Sequence, residues 1–320
     1  MIRLLLLISI LVNVVFSFVL FFKSEPKTHN PAESSSQAEK YPFISKRVFV
    51  ENPNDLLINF VDLRTQIRAY LADKGDSVSL YFEYLPTGTS IGIREKDQTR
   101  LASLSKIPTV MAIYKKISRG ELSEDQTLTL EKKFINKQFG TLWEKGIGYK
   151  LSIKDAIGLA ITESDNTAHN MLLSNLTTEE INDVYEYLDI PFNFEENYPI
   201  ISAKNYTSIL RSLYLSTYLS FEYSNEIIEI MTHTIYKDRL AAGVPKDIPV
   251  AHKIGVYESE HSEEESTYSD CGIIYVPLRP YLLCIMVVGT NTQALEYMSG
   301  LSKVIYSFVS SQDIKTTPSK

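Results

Sequence analysis

Two cysteines, one tryptophan and five histidines in 320 residues leave little material for metal chemistry. Cys271 and Cys284 make no C-x-x-C pair. His29, His169, His233, His252 and His261 make no H-E-x-x-H. Neither a structural zinc nor any other metal or cofactor is expected from such spacings. A basic excess is missing too. Thirty-two Lys and Arg stand against 39 Asp and Glu, for a net charge of −7, which argues against nucleic acid as a partner. There is no internal repeat. What remains is ordinary globular composition, 44% hydrophobic and 22% charged, in a chain long enough to bury a substantial core. A monomer is expected.

The N-terminus lacks a small-residue cleavage site. Residues 4–22, LLLLISILVNVVFSFVLFF, are almost continuously apolar, between Arg3 and Lys23. Helical rise makes this run nearly long enough to cross a bilayer core. An uncleaved membrane anchor is therefore expected over residues 1–22, with a cleaved signal as the alternative. No cysteine lies near the run, which excludes a lipoprotein. The chain is expected to be membrane-anchored, with its body outside the cytoplasm, or otherwise secreted. Residues 23–45 open with KSEPKTHNPAESSSQAEKYP and read as a flexible tether. The folded domain is expected over 46–312, followed by a short tail, 313–320.

Within that domain, 54–73 carries helical spacing of apolar residues. VSLYFEYLPTGTSIGI reads as two strands around a Pro86-Thr87-Gly88 turn. Helical patterns follow at 103–118, 153–163, 166–175, 178–188, 203–219 and 224–236, with loops and short helices over 121–150. Three strands are expected at 250–257, 271–277 and 281–290, then a helix at about 292–311. This order predicts an α/β (α+β) fold: an antiparallel sheet made from both ends of the chain, flanked by helices, with an all-α subdomain inserted. Cys271 and Cys284 are expected diagonally across the last hairpin as two buried thiols.

The stretch LASLSKIPTV places Ser103 and Lys106 three apart at a helix start, hence on one face. A serine hydroxyl needs a base to become a nucleophile, and a buried lysine is one. A helix N-terminus adds positive potential where an oxyanion forms. Alone, the spacing means little, since Ser24 and Lys27 repeat it in the tether. Two later features change that. Ser164-Asp165-Asn166 falls between two helices, and Lys253-Ile254-Gly255 falls on a strand. Each has a plain structural reading, as a capping turn and as a solvated lysine beside a bulge glycine. The ordered set, each member on a suitable element, is far rarer by chance.

With S-x-x-K, S-D-N and K-x-G in this order, the sequence resembles the class A β-lactamase and penicillin-binding-protein superfamily of serine hydrolases. The resemblance covers roughly 54–312 and includes LASLSKIPTVMAIYK, LAITESDNTAHNMLL and VAHKIG. It implies a hydrolase acting through an acyl-serine on β-lactams or related D-alanyl amides of peptidoglycan type, with a place in antibiotic response. By it, Ser103 is the acylated nucleophile and Lys106 its base or part of a relay. Ser164 passes a proton to the leaving nitrogen. Asn166 binds the substrate amide and Lys106, and Asp165 is structural. Lys253 attracts a substrate carboxylate, Gly255 admits substrate against the strand, and the N–H groups of Ser103 and Val256 form the oxyanion hole.

Two departures matter. The third motif is K-I-G where the family has K-T-G, so a hydroxyl is lost at Ile254. The E-x-x-L-N loop that supplies the deacylating glutamate is replaced by PFNFEENYPIISAKNY. Glu195 and Glu196 are the candidate deacylation bases there, without the Leu-Asn that positions such a base, so slow deacylation is expected. A penicillin-binding D,D-peptidase-like enzyme, or a non-catalytic cell-wall-binding domain that keeps the fold, stands as the alternative.

Overall fold

The computed structural model describes residues 40–43, 58–75, 77–192 and 199–312. The chain begins its described body with helix α1 (Val61–Leu71) and a hairpin of β1 (Val78–Tyr84) and β2 (Thr89–Ile93). Gly88 stands at φ +73° in the turn, where a side chain is disfavoured. A short strand β3 (Gln98–Arg100) leads to a 3-10 turn, Ala102–Ser105, and helix α2 (Lys106–Ser118). Then come β4 (Thr127–Thr129), β5 (Lys150–Ser152), α3 (Ile153–Thr162), α4 (Asn166–Leu173) and α5 (Thr178–Tyr187). Strand β6 (Ile200–Ser202) precedes α6 (Ala203–Tyr214) and α7 (Phe221–Thr232). Strands β7 (Val250–Tyr257), β8 (Thr267–Ile274) and β9 (Tyr281–Val288) and helix α8 (Asn291–Ser311) close the fold.

The main sheet has the order β2-β1-β9-β8-β7, antiparallel throughout. The N-terminal hairpin thus pairs with the C-terminal strands, as the sequence order predicts. Strand β9 is central, and its unbroken apolar run is explained by burial on both faces. Tyr281, Leu283, Ile285 and Val287 enter one core, with residues of α1 and α8. Leu282, Cys284 and Met286 enter the other, with the helical block α2–α7. The period-two alternation of a strand therefore separates two hydrophobic layers. The architecture is an antiparallel sheet flanked by helices, as the order of elements in the sequence predicts.

Three expectations change. Strand β8 spans 267–274, earlier than the predicted 271–277. Its polar residues hid it: Asp270 is fully buried and accepts a hydrogen bond from His252 Nδ1 at 2.8 Å, across from β7. Pairing of a buried polar group removes the cost that would have kept it out of a strand. The earlier start also resets the register, so that Cys271 stands directly opposite Cys284, not diagonal to it. The two are joined as a disulfide, with Cα atoms 3.9 Å apart, and are not free thiols.

The membrane expectation is also corrected. Among the described residues no helix is long and apolar enough to cross a membrane, so the membrane-anchored placement and the membrane as a partner are withdrawn. The apolar run 1–22 on which they rest lies outside the described residues, as do the start of the domain near residue 46 and the tail from 313.

Candidate active site

Helix α2 is the axis of the helical block. From Lys106 to Tyr114 every residue is buried, which marks a helix enclosed on all sides. Pro108 is tolerated because it falls in the first turn, where its missing N–H has no intrahelical acceptor. The serine precedes the helix proper. Ser103 lies in the 3-10 turn, and no side chain caps either that turn or α2. Ser103 is therefore not a helix cap. Ala102, just before it, has φ +45°, an unfavourable left-handed conformation for a residue with a Cβ. Such strain costs on the order of 1–3 kcal/mol and persists where the surrounding structure holds it. Here the Leu101 N–H donates to Pro199 O at 2.8 Å, and Tyr206 Oη donates to Leu104 O at 3.1 Å.

Lys106 Nζ donates to Ser103 Oγ at 2.8 Å and to Asn166 Oδ1 at 2.7 Å. The lysine is almost fully buried, 2% exposed. Burial is the main reason that its pKa falls from 10.5 to about 7, with Asp165 pulling weakly the other way. Near neutral pH, a large share of Lys106 is thus the free amine beside a serine hydroxyl.

The Ser164-Asp165-Asn166 turn joins α3 to α4. Ser164 adopts φ +56°. Asp165 is the N-cap of α4, accepting from Ala168 N at 2.8 Å, and it also accepts from Leu142 N at 2.8 Å. Gly140 lies so close that a Cβ there would meet Asp165 Oδ2 at 2.1 Å. The carboxylate therefore ties the loop before α3 to the turn, and Asp165 has the structural position expected of it. Asn166 is oriented by the same loop: its N–H donates to Phe139 O at 3.1 Å and its Nδ2 to Asn136 Oδ1 at 3.3 Å. That leaves Oδ1 for Lys106.

Strand β7 brings the third motif. Lys253 Nζ donates to Ser164 Oγ at 2.8 Å and to Ile254 O at 3.2 Å. Lys253 and Ser164 are each 1% exposed. Burial first, and Lys106 second, push the Lys253 pKa well below its ordinary value, against an opposing pull from Asp270. A cleft of about 980 Å³ opens above these groups, lined by Ser103, Lys106, Asn166, His169 and Val256 among others. Ser164 and Lys253 are buried beside it, behind Lys106 and Asn166. Gly255 also faces inward. A Cβ on it would stand 3.0 Å from Leu104 Cγ and 3.3 Å from Leu101 O, so its bareness lets β7 pack against the Ser103 turn. Glu195 and Glu196 lie outside the described residues.

Sequence reasoning passed over His169. It lines the cleft, and its Nε2 is 3.0 Å from Thr109 Oγ1. The signal was available: His169 follows Asn166 by three, and Thr109 follows Lys106 by three, so both pairs share helix faces. Glu258, Glu260 and Glu265, which also line the cleft, were passed over as well.

A two-layered fold that brings a serine, a buried lysine and an S-D-N turn together at one cleft is the arrangement expected of the β-lactamase and penicillin-binding superfamily of serine hydrolases, to which family and structural matches assign the chain. The chain belongs to the Beta-lactamase enzyme family, whose model matches residues 62–309. It is similar to Beta-lactamase 3 of Bacillus cereus, 25% identical over 66% of this chain and 69% of that one. Among solved structures it resembles PBP-A, with TM-score 0.69 and 24% identity over 78% of this chain and 96% of the other. It also resembles a β-lactamase from Sphaerobacter thermophilus, with TM-score 0.70 and 20% identity over 79% and 98%. These likenesses support a hydrolase of this broad class.

Proposed function

We propose that this chain is a serine hydrolase that forms an acyl-enzyme on Ser103 with β-lactams or related D-alanyl amides, and that it deacylates slowly. One observation carries the reading: Lys106 Nζ is 2.8 Å from Ser103 Oγ, and burial brings its pKa to about 7. The free amine takes the serine proton as Oγ adds to the substrate carbonyl. The N–H groups of Ser103 and Val256, both residues on the cleft, stabilise the oxyanion. Collapse of the tetrahedral intermediate expels the amide nitrogen, which takes a proton through Ser164, itself hydrogen-bonded to Lys253.

Slow deacylation follows from the loop that replaces E-x-x-L-N. Glu195 and Glu196 lack the following Leu-Asn that positions a hydrolytic base, and loss of a positioned general base slows hydrolysis by ~10²–10⁴-fold. The substrate side is weakened as well, on strand β7. Ile254 has no hydroxyl for a substrate carboxylate, and Lys253 is buried behind the wall.

Intact-mass spectrometry of the protein with penicillin G, followed over time, tests the reading. One adduct is expected, mapping to Ser103, absent in Ser103→Ala and visible for minutes after excess drug is removed. A label on Ser105 or Ser164, or labelling of Ser103→Ala, refutes the assignment. A covalently inert but folded protein would instead support a non-catalytic binding domain.

A further inference from the structure

We infer that His169 is the general base that activates water for hydrolysis of the acyl-serine. The inference rests on the acyl-enzyme reading above and names the residue that completes its cycle.

Position is the first argument. Lys106 and Thr109 are one turn apart on α2, and Asn166 and His169 are one turn apart on α4. Lys106–Asn166 and His169–Thr109 are therefore two successive rungs between the same helices. A helical turn rises about 5.4 Å, so the imidazole stands one turn along from the lysine that touches Ser103. Ser103 lies one turn before Lys106, so the lysine stands between serine and ring, and all three line the one cleft from which water reaches an ester on Ser103. His169 is 8% exposed, and the cleft that holds Ser103 is where its surface opens.

The hydrogen-bond network assigns the tautomer. Thr109 Oγ1 donates its own proton to Ser105 O at 3.0 Å. It can then only accept from His169, so Nε2 carries the ring proton and Nδ1 holds the free lone pair. Among the described residues, Nδ1 has no hydrogen-bond partner. A largely buried imidazole with an unengaged lone pair, lining the cleft that holds Ser103, is suited to take a proton. Burial, Lys106 and Lys253 together keep the ring neutral by holding its pKa well below the ordinary value. The same shift makes it a weak base, in keeping with slow turnover.

The step balances. Water adds through oxygen to the acyl carbonyl carbon as one of its protons passes to His169 Nδ1. The tetrahedral intermediate collapses, and the bond between the carbonyl carbon and Ser103 Oγ breaks. Oγ takes back a proton relayed from the imidazolium, and the product leaves as a carboxylic acid.

The test is the lifetime of the penicillin G adduct on the whole protein, by intact mass, from pH 5 to pH 9. Wild type, His169→Gln, His169→Asn and the double variant Glu195→Gln/Glu196→Gln are compared, each with a thermal melt. Gln keeps a donor for Thr109 and loses the base. Adducts are expected to form in all four and to persist ~100-fold longer in both histidine variants. The double glutamate variant is expected to keep the wild-type lifetime. Wild-type deacylation should hold level through neutral pH and fall only on the acid side of the ordinary imidazole range. Wild-type adduct lifetimes in His169→Gln overturn the inference, and so does a lengthened lifetime confined to the glutamate variant. A rate that climbs through pH 7 in wild type and histidine variants alike assigns the base to Lys106 instead. Absence of any adduct in wild type is a different failure, that of the acyl-serine reading itself.

Discussion

Replacing Lys106 by methionine is expected to disable the enzyme and stabilise the protein at once. Lys106 is 2% exposed, and its pKa falls from 10.5 to about 7 on folding. A difference of about 3.5 pKa units at ~1.36 kcal/mol per unit comes to roughly 5 kcal/mol. This is a ceiling on the energy by which the buried ammonium opposes folding. The sign follows from proton binding. Between pH 7 and 10.5 the unfolded chain holds this proton and the folded chain does not, so wild-type stability gains with rising pH. Below pH 7 both states are protonated and the whole penalty applies. Above 10.5 both are neutral and it vanishes. Lys106→Met removes the group, so the difference in unfolding free energy between variant and wild type should be largest at pH 6–7 and should shrink toward pH 10. Urea denaturation at unit intervals of pH reads this difference, in which every titrating group that does not feel Lys106 cancels; Lys253 and His169 do feel it. Over the same range, wild-type acylation should rise through pH about 7, as the amine loses its proton, and the variant should acylate ~100-fold more slowly or worse. Parallel stability curves would show that Lys106 keeps an ordinary pKa. A normal acylation rate in the folded variant would show that it is not the base. Either result defeats the reasoning.

Two further outcomes are expected. Gly255→Ala puts a methyl group 3.0 Å from Leu104 Cγ and 3.3 Å from Leu101 O; the Ser103 turn must give way, and acylation should slow by ~10–100-fold with only a small loss of melting temperature, because displacement of a nucleophile costs rate steeply. Stopped-flow acylation decides it, and an unchanged rate means that the turn absorbs the methyl elsewhere. Reduction of Cys271–Cys284, which are 13 residues apart, should lower unfolding stability by about 3 kcal/mol on the chain-entropy account of a short loop; equal denaturation midpoints with and without reductant would refute that.

Much of this fold was legible in one dimension. The run YLLCIMVV declares a strand buried on both faces, and the helix starting at Lys106 is announced by the mostly apolar run IPTVMAIY that follows the lysine. Helix, hairpin, helical block, three strands and helix came in the right order, because apolar periodicity is local and each element carries its own. The three motifs of the site were also legible, since residue type and spacing along a helix or strand determine which side chains share a face.

What local pattern cannot hold is the pairing of distant elements. Strand β8 was misplaced because Asp270 reads as exposed until His252 on the neighbouring strand is known. That shift moved the register by which Cys271 meets Cys284. Gly255 reads as a space for substrate until the Ser103 turn is seen to fill it. His169 belongs to no motif in the sequence, and only the fold brings its Nε2 to 3.0 Å from Thr109 Oγ1, sixty residues earlier. The sequence by itself determined which elements form and which chemistry-bearing residues they carry. Only the tertiary structure decided how deep Lys106 lies and what surrounds it, and hence its pKa of about 7, because desolvation depends on atoms brought from every other part of the chain.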